Sequence, residues 1–315
     1  MADKEGRDLN CIVFGGTGWV GHTIANCLHD AGHDVTICAR GRKSTYEAEI
    51  PGEIRRIRAD KGEPADVRRV FEEVYDVVID SVPTPESVEN IAAHARRLRR
   101  YIHCSSTGGY APLARIPGDE TMPYDHFMGG WKFKADVDAA ALDLFVRKGF
   151  PATVIRPPYI TGPGLLPIDN QGGRRGDFIP DILNSVPLDL PNDGLALLQP
   201  VHVEDLALSV LLAAEEPRCA GQVYNVCLEK AVTLNRYLEI TGEALGREVT
   251  IRHVPVDEMF EKYGEAISKR GLYFLATHMC YDINKARDQL GYQPTHTTEE
   301  AIEETARWAS ASVGD

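Results

Sequence analysis

A short apolar run, Cys11-Ile-Val-Phe14, leads directly into Gly15-Gly16-Thr17-Gly18-Trp19-Val20-Gly21, and the residues that follow read as a helix over Val20–Asp30. Glycines three apart allow a tight turn, close approach of backbone to a pyrophosphate, and close packing of helix on strand, while the helix N-terminus adds a dipole that favours an anion. The glycine pattern alone is a weak signal, because a simple tight turn also satisfies it. Its position decides the reading: it closes the first strand, opens the first helix and begins a βαβ unit. Gly15, Thr17, Gly18, Trp19, Val20 and Gly21 are therefore assigned to dinucleotide binding.

The remainder of the chain follows the same plan. Apolar runs rich in β-branched residues recur at Val35–Cys38, Ile54–Ile57, Val77–Ile79, Tyr101–Cys104 and Thr153–Ile155, as expected of buried parallel strands. Helical patterns lie between them at Pro64–Glu73, Glu86–Leu98 and Lys134–Lys148. The fold class is α/β, a doubly wound parallel sheet of Rossmann type with a smaller C-terminal substrate lobe. After Arg156 the chain turns Pro- and Gly-rich up to Gly176, and Asp177–Gly194 shows little periodicity. It then returns through a helix at Val201–Ala214 and a strand at Gln222–Val226, and ends with helices at Leu234–Leu245 and Glu299–Ala309. These changes of texture assign 9–165 and 200–228 to the dinucleotide domain, and 166–199 and 229–315 to the substrate lobe.

Composition narrows the class. The 315 residues carry a net charge of −13, which opposes nucleic acid and anionic membrane. The run Arg96-Arg97-Leu98-Arg99-Arg100 is a local exception that suits a solvated helix end. No apolar stretch nears the roughly 18 residues of a membrane span, and Met1–Asn10 has no signal-peptide character, so a cytoplasmic protein is expected. Seven cysteines form no C-x-x-C pair. Neither a disulfide framework nor a metal site is indicated, since no His/Asp/Glu group has ligand spacing.

The second strand runs into Cys38-Ala39-Arg40-Gly41-Arg42-Lys43. An NAD site usually places a carboxylate here for the ribose hydroxyls, about 20 residues past the glycines. Arg40, Arg42 and Lys43 stand there instead and suit a 2′-phosphate, so NADP is favoured and NAD is the alternative; a basic turn without a ligand role is the plain reading. Asp60, closing Arg58-Ala59-Asp60, either bonds the adenine amino group or caps a turn.

Together these landmarks resemble the extended short-chain dehydrogenase/reductase family, which includes the nucleotide-sugar epimerases and dehydratases. The resemblance runs nearly end to end. It is carried by the glycine turn, Ser105-Ser106-Thr107-Gly-Gly-Tyr110, Arg156-Pro157-Pro-Tyr159-Ile-Thr-Gly162-Pro163-Gly164, Val201-His202-Val-Glu-Asp205-Leu-Ala207, Gly221-Gln-Val-Tyr-Asn225 and Tyr281-Asp-Ile-Asn-Lys285 through Gly291. It implies that Ser106 bonds the reacting oxygen, that Pro157 and Tyr159 border the cofactor, and that Ser106, Thr107, Tyr159, Phe178 and Arg174 meet the substrate. Such proteins are often dimers through a four-helix bundle, for which Glu86–Leu98 and Lys134–Lys148 are the candidate helices.

The family's Tyr-x-x-x-Lys pair is incomplete. In the family the lysine lowers the tyrosine pKa and holds the nicotinamide ribose while the tyrosinate moves a proton. Lys134-Ala-Asp-Val-Asp138 matches the lysine followed by an acid, but Gly130 stands four residues before it; choosing Lys132 pairs with Met128. The nearest phenol is Tyr124, with His126 two residues on as a candidate acid or base, histidine being the residue type suited to that role near neutral pH. The arginine that many relatives place before Val-His-Val for a diphosphate is absent from Leu195–Gln199, and Arg174, Arg175 or Arg252 would have to replace it. The expected function is an NAD(P)-dependent epimerase/dehydratase acting on a sugar nucleotide or related sugar through a transient ketone, with Ser106, Lys134 and Tyr124 as catalytic residues. The alternatives are an NADPH-dependent carbonyl reductase and a catalytically silent nucleotide sensor or partner-binding protein.

Overall fold

The computed structural model describes residues 8–42, 44–124, 132–174 and 176–313. The apolar runs form strands β1 (Asn10–Phe14), β2 (Asp34–Ala39), β3 (Arg55–Arg58), β4 (Val77–Asp80), β5 (Arg100–Cys104) and β6 (Ala152–Arg156). Helices α1 (Trp19–Asp30), α2 (Pro64–Val70), α3 (Pro85–His94) and α4 (Lys132–Lys148) occupy the crossovers. Further along come α5 (Phe178–Leu183), α6 (Val203–Glu215), β7 (Val223–Asn225), α7 (Leu234–Ala244), α8 (Val256–Tyr263), α9 (Lys269–Leu275), α10 (Asn284–Leu290) and α11 (Thr298–Val313).

Seven strands pair in parallel in the order β7-β6-β5-β4-β1-β2-β3. The order reverses between β1 and β4, the place where such sheets open a crevice beyond the strands' carboxyl ends. β1 lies at the centre, with Cys11 between Val35 and Val77 and Phe14 between Cys38 and Asp80. Both of its faces are covered, which is why it reads as a continuous apolar run rather than an alternating one. One covering cluster packs Ile24 and Leu28 of α1 and Leu206 and Val210 of α6 on the sheet. The other packs Val67, Val88, Val137 and Leu144 from α2, α3 and α4.

The second lobe has its own core, in which Phe178, Ile182, Leu190, Tyr237, Leu238 and Ile302 are buried together. Two short strand pairs frame it: Leu188–Pro191 beside Ile251–Val254, and Leu197–Leu198 beside Val232–Thr233. The stretch Asp177–Gly194, which lacks periodicity, thus holds both a helix and a strand, each too short to display a period. Met279, Tyr281, Ile283, Leu290 and Tyr292 join the core beneath α1 and α6, not that of the second lobe, and Gly118 pairs with this segment through backbone bonds to Cys280 and Asp282.

Two predicted helices end early. α2 stops at Val70 and α3 at His94, so Arg96 and Arg97 lie past the helix end, Arg97 at a positive φ of 63°. α3 starts sharply because Thr84 and Ser87 cap each other's backbone amides, with Pro85 as the first helical residue. Among the described residues no helix is long and apolar enough to cross a membrane.

The glycine turn tolerates no side chain at its closing position. A Cβ on Gly21 would stand 2.2 Å from the Gly15 carbonyl oxygen. Gly21→Ala must push the turn open, and a loss of roughly 1–3 kcal/mol is expected, read as a lower urea midpoint with unchanged slope.

Candidate functional site

The site gathers at the carboxyl ends of the sheet strands. Gly18 is the N-cap of α1 and provides no side-chain cap, and the helix's first turn carries no acid. That leaves the positive end of the helix dipole facing the crevice. The Trp19 indole nitrogen donates to the Pro163 carbonyl at 2.7 Å, and Gly164 lies close against the same ring. The glycine turn is in this way fastened to the Gly162-Pro163-Gly164 loop, two motifs far apart in sequence. Val20 packs at the edge of the core.

Next to the turn, a cleft of about 480 Å³ is lined by Thr17, Ala39, Arg42, Ser44, Arg56 and Arg58 among others. Strand pairing sets Arg58 beside Ala39, and the Arg58 side chain packs on Gly41, which holds a φ of +78°. Ser44 donates to the Thr17 carbonyl and so folds the post-β2 loop against the glycine turn. Arg40 is exposed and is not among the cleft's lining residues; Lys43 lies outside the described residues. Asp60 turns back to accept from the Gly62 amide at 3.0 Å, the turn-capping alternative. Arg56 and Arg58 were not singled out from sequence. Their signal is the Arg55-Arg56-Ile57-Arg58 strand itself, whose meaning depends on which neighbour it pairs with.

A second cavity, about 400 Å³, lies where the two lobes meet, with Ser106, Tyr159, Ile168, Arg174, Arg270 and Met279 on its walls. The Arg174 guanidinium sits over the Tyr159 ring, 5.5 Å from its centre, and the Tyr159 hydroxyl is buried without a hydrogen-bond partner among the described residues. Gly172 and Gly271, from different parts of the chain, meet backbone to backbone in this wall. Phe178 belongs elsewhere: it is 1% exposed in the core of the second lobe, against Tyr237. Arg252 pairs with buried Asp189 on another surface, and Arg175 lies outside the described residues. Arg270 has no sequence motif to announce it.

Behind Ser106 lies a buried charged network. Asp138 of α4 accepts from His103 of β5 at 2.8 Å and from Arg156 of β6 at 2.9 Å. Arg156 also donates to the Tyr110 hydroxyl at 2.6 Å, and Tyr110 donates to Asn225 of β7 at 3.1 Å. The Arg156 guanidinium covers the Tyr124 ring at 3.4 Å from its centre. Burial acts to raise the Asp138 carboxyl, but the His103 hydrogen bond and the charges of His103 and Arg156 outweigh it and hold the pKa below the usual value.

Tyr124 is brought within reach of the serines, but not into the cavity. Its hydroxyl bonds to Ser105 Oγ at 3.2 Å and donates to the Ser106 carbonyl, while its ring packs on Gly109. Burial and the nearby Asp138 carboxylate push its phenol up, only partly countered by Arg156. Thr107 is fully buried, its amide bonded to the Pro157 carbonyl at 2.9 Å. Lys134 reaches the Cys104 carbonyl at the end of β5, at 3.4 Å. Its expected partner Asp138 is taken by Arg156 and His103; the i,i+4 surface pair on α4 is Lys132 with Asp136. His126, Met128 and Gly130 lie outside the described residues.

The profile described as "NAD dependent epimerase/dehydratase family" matches residues 11–90 and 86–227. The chain belongs to that family. Among curated relatives of this epimerase/dehydratase chain, the chloroplast stem-loop binding protein of 41 kDa b from Arabidopsis thaliana is 30% identical over 298 residues, covering 90% of this chain and 74% of the relative. The UDP-glucose 4-epimerase of Corynebacterium glutamicum is 24% identical over 98% of this chain and 97% of its own. The same fold is seen in the UDP-glucose 4-epimerase of Thermotoga maritima, with a TM-score of 0.76 at 17% identity over 97% and 100% of the two chains. The UDP-glucuronic acid 4-epimerase of Bacillus cereus, solved with NAD, superposes with a TM-score of 0.75 at 16% identity over 96% and 98%. Extended short-chain dehydrogenase/reductase architecture is thus established for this family member.

Sequence spacing yields no metal-ligand set, yet folding brings His202, Glu204 and His296 together with ligand atoms within 4.8 Å of one another.

The Arg156–Asp138 pair is buried on both sides, at 6% and 3% side-chain exposure. Arg156→Leu leaves the Asp138 carboxylate facing His103 alone and should cost about 3–5 kcal/mol, measurable by denaturant unfolding. Tyr124→Phe, which keeps the ring under Arg156, should cost about 1 kcal/mol.

Proposed function

We propose that the protein is an NAD(P)-dependent oxidoreductase of epimerase/dehydratase type that acts on a sugar nucleotide or related sugar through a transient ketone. The observation that supports this most is the convergence of Ser106, the Lys134 amine at the end of β5 and a cavity between the lobes, all on the crevice side of the glycine turn. The uncapped start of α1 and the glycine cradle fit a dinucleotide. When bound, the nicotinamide would supply the hydride acceptor and donor.

The chain's own groups then divide the remaining work. Ser106 holds the reacting oxygen. Lys134 holds the ribose at the Cys104 carbonyl. Tyr124, with its hydroxyl already engaged by Ser105 and the Ser106 carbonyl, positions the serine turn. Proton transfer falls to Tyr159, the phenol that lines the cavity and has its hydroxyl free of protein partners. Burial raises that phenol and the Arg174 guanidinium over its ring opposes the rise; the tyrosinate takes the substrate hydroxyl proton as the hydride leaves, and the phenol so formed returns it to the keto oxygen. Arg174 and Arg270, facing the same cavity, supply the cationic character that a diphosphate or carboxylate needs. With UDP-glucose, UDP-galactose and UDP-N-acetylglucosamine as probes, Lys134→Ala should abolish turnover and Lys132→Ala should leave it intact. Tyr159→Phe should lower kcat by about 100-fold or more, and Tyr124→Phe far less. Equal activity of Lys134→Ala would remove Lys134 from the mechanism.

NADP is the preferred cofactor in this reading. Arg42 and Arg58 line the cleft beside Thr17, and no carboxylate is present at the end of β2. Arg42→Ala and Arg58→Ala should each weaken NADP by about 10-fold while changing NAD little, read by calorimetric titration. Equal weakening of both would point to NAD.

A second reading is a nucleotide-binding protein without turnover. It is favoured by the absence of tyrosine at position 130 and by a relative named for stem-loop binding, and opposed by the net charge of −13. Denaturing the purified protein and identifying released nucleotide by mass spectrometry separates the readings. Tightly held oxidised NAD or NADP supports recycling; an empty protein that consumes NADPH with a carbonyl compound supports a reductase; neither supports the silent protein.

A further inference from the structure

His202 caps the start of α6 and is 1% exposed, and His296 precedes α11. Their rings lie face to face, with centres 3.8 Å apart and planes 31° from parallel. His296 has one nitrogen hydrogen-bonded to a carboxylate, and His202 Nε2 lies near another without a hydrogen bond. His296 Nδ1 lies 2.8 Å from Asp205 Oδ2, and His202 Nε2 lies 3.1 Å from Glu304 Oε2. With Nδ1 bonded to Asp205, His296 keeps Nε2 as a lone pair, the second-sphere arrangement of metal-binding histidines, while His202 Nε2 is buried without a hydrogen-bond partner among the described residues.

Both histidines border Glu204, and the three side chains bring one ligand atom each to within 4.8 Å of one another. His202 Nδ1 looks toward the first residues of α6, where its contact is a long 3.4 Å to the Glu204 amide. His296 Nε2 lies 3.7 Å from a Glu204 carboxylate oxygen. The Glu204 side chain is two-thirds exposed, leaving room for water as a further ligand. Asp205 is held independently, because Thr295 donates to it through both its amide and its hydroxyl, at 2.6 and 2.8 Å. The second-sphere carboxylate is thereby fixed before any ion arrives.

We propose that His202, His296 Nε2 and the Glu204 carboxylate form a binding site for one borderline divalent cation, Zn²⁺ or a similar first-row ion, completed by water. Two neutral imidazoles and one carboxylate are a donor set suited to such an ion, whereas Mg²⁺ and Ca²⁺ favour all-oxygen sites. The ion would join α6, which covers the sheet, to α11, which covers the second lobe. It would also sit behind Gly162, where a Cβ would stand 2.8 Å from His202 Nε2. That glycine begins the loop whose Pro163 carbonyl holds Trp19, so the ion would brace the contact between the glycine turn and that loop.

The test uses the full chain without a histidine tag, stripped with EDTA and kept reduced. Calorimetric titration with Zn²⁺ should show one equivalent bound. A hundredfold excess over Kd should raise the melting temperature by roughly 5 °C. Co²⁺ should give weak visible bands without the intense near-ultraviolet band of a cysteine thiolate. His296→Ala and Glu204→Gln, both on partly exposed side chains, should each weaken binding at least about 10-fold and remove the thermal shift, while their metal-free melting temperatures stay near that of the parent. The proposal fails if no saturable equivalent is bound, if either variant binds as tightly as the parent, or if the Co²⁺ spectrum reports thiolate ligation.

Discussion

The buried ion pair between Arg156 and Asp138 is the constraint on which the site depends. It joins the last residue of β6 to the first half of α4, and through His103, Tyr110 and Asn225 it also reaches β5, the loop after β5, and β7. Buried ion pairs contribute little net stability, since desolving two charges costs about what their attraction returns. They specify geometry instead, because any shift in register leaves a charge unpaired. Here the geometry specified is that of the serine turn: Arg156 fixes the Tyr124 ring, and the Tyr124 hydroxyl fixes Ser105 and Ser106.

The same network takes Asp138 away from Lys134, one helical turn earlier on α4. Lys134 does not need its neighbour Asp138 as a surface partner, because Asp138 points inward. The amine is free to reach the end of β5. Tyr124 resembles a substitute phenol by proximity alone; its hydroxyl is spent on the backbone and Ser105. Tyr159 differs because its side chain lines the cavity formed with Ile168, Arg174, Arg270 and Met279, and its buried hydroxyl has no hydrogen-bond partner among the described residues.

Electrostatics divide the molecule in a way that the net charge conceals. The chain as a whole is acidic, yet cationic side chains concentrate at the end of β2, along β3 and at the cavity between the lobes. An anionic ligand therefore meets a local field opposite in sign to the global one, which repels competing polyanions. On a different surface, two histidines and three carboxylates from α6 and the segment leading into and along α11 meet.

The sequence by itself determined the parallel α/β sheet, the position of the dinucleotide turn and the family, because strand hydrophobicity, glycine spacing and the order of motifs are local properties written along the chain. It also determined that Lys134 has no tyrosine partner at Gly130. Whatever depends on strand pairing or on one lobe closing over another was decided only in three dimensions. Arg58 became part of the cleft beside the glycine turn because β3 pairs with β2 in a register that sets it beside Ala39. Phe178, in a segment without periodicity, was packed into a core instead of facing substrate. Residues 279–292 returned to the first core because β7 and the Gly118 segment receive them. Asp205 and His296, 91 positions apart, became hydrogen-bonded partners. No local spacing encodes such meetings, since they arise from the free energy of burying whole faces of helices and sheet together.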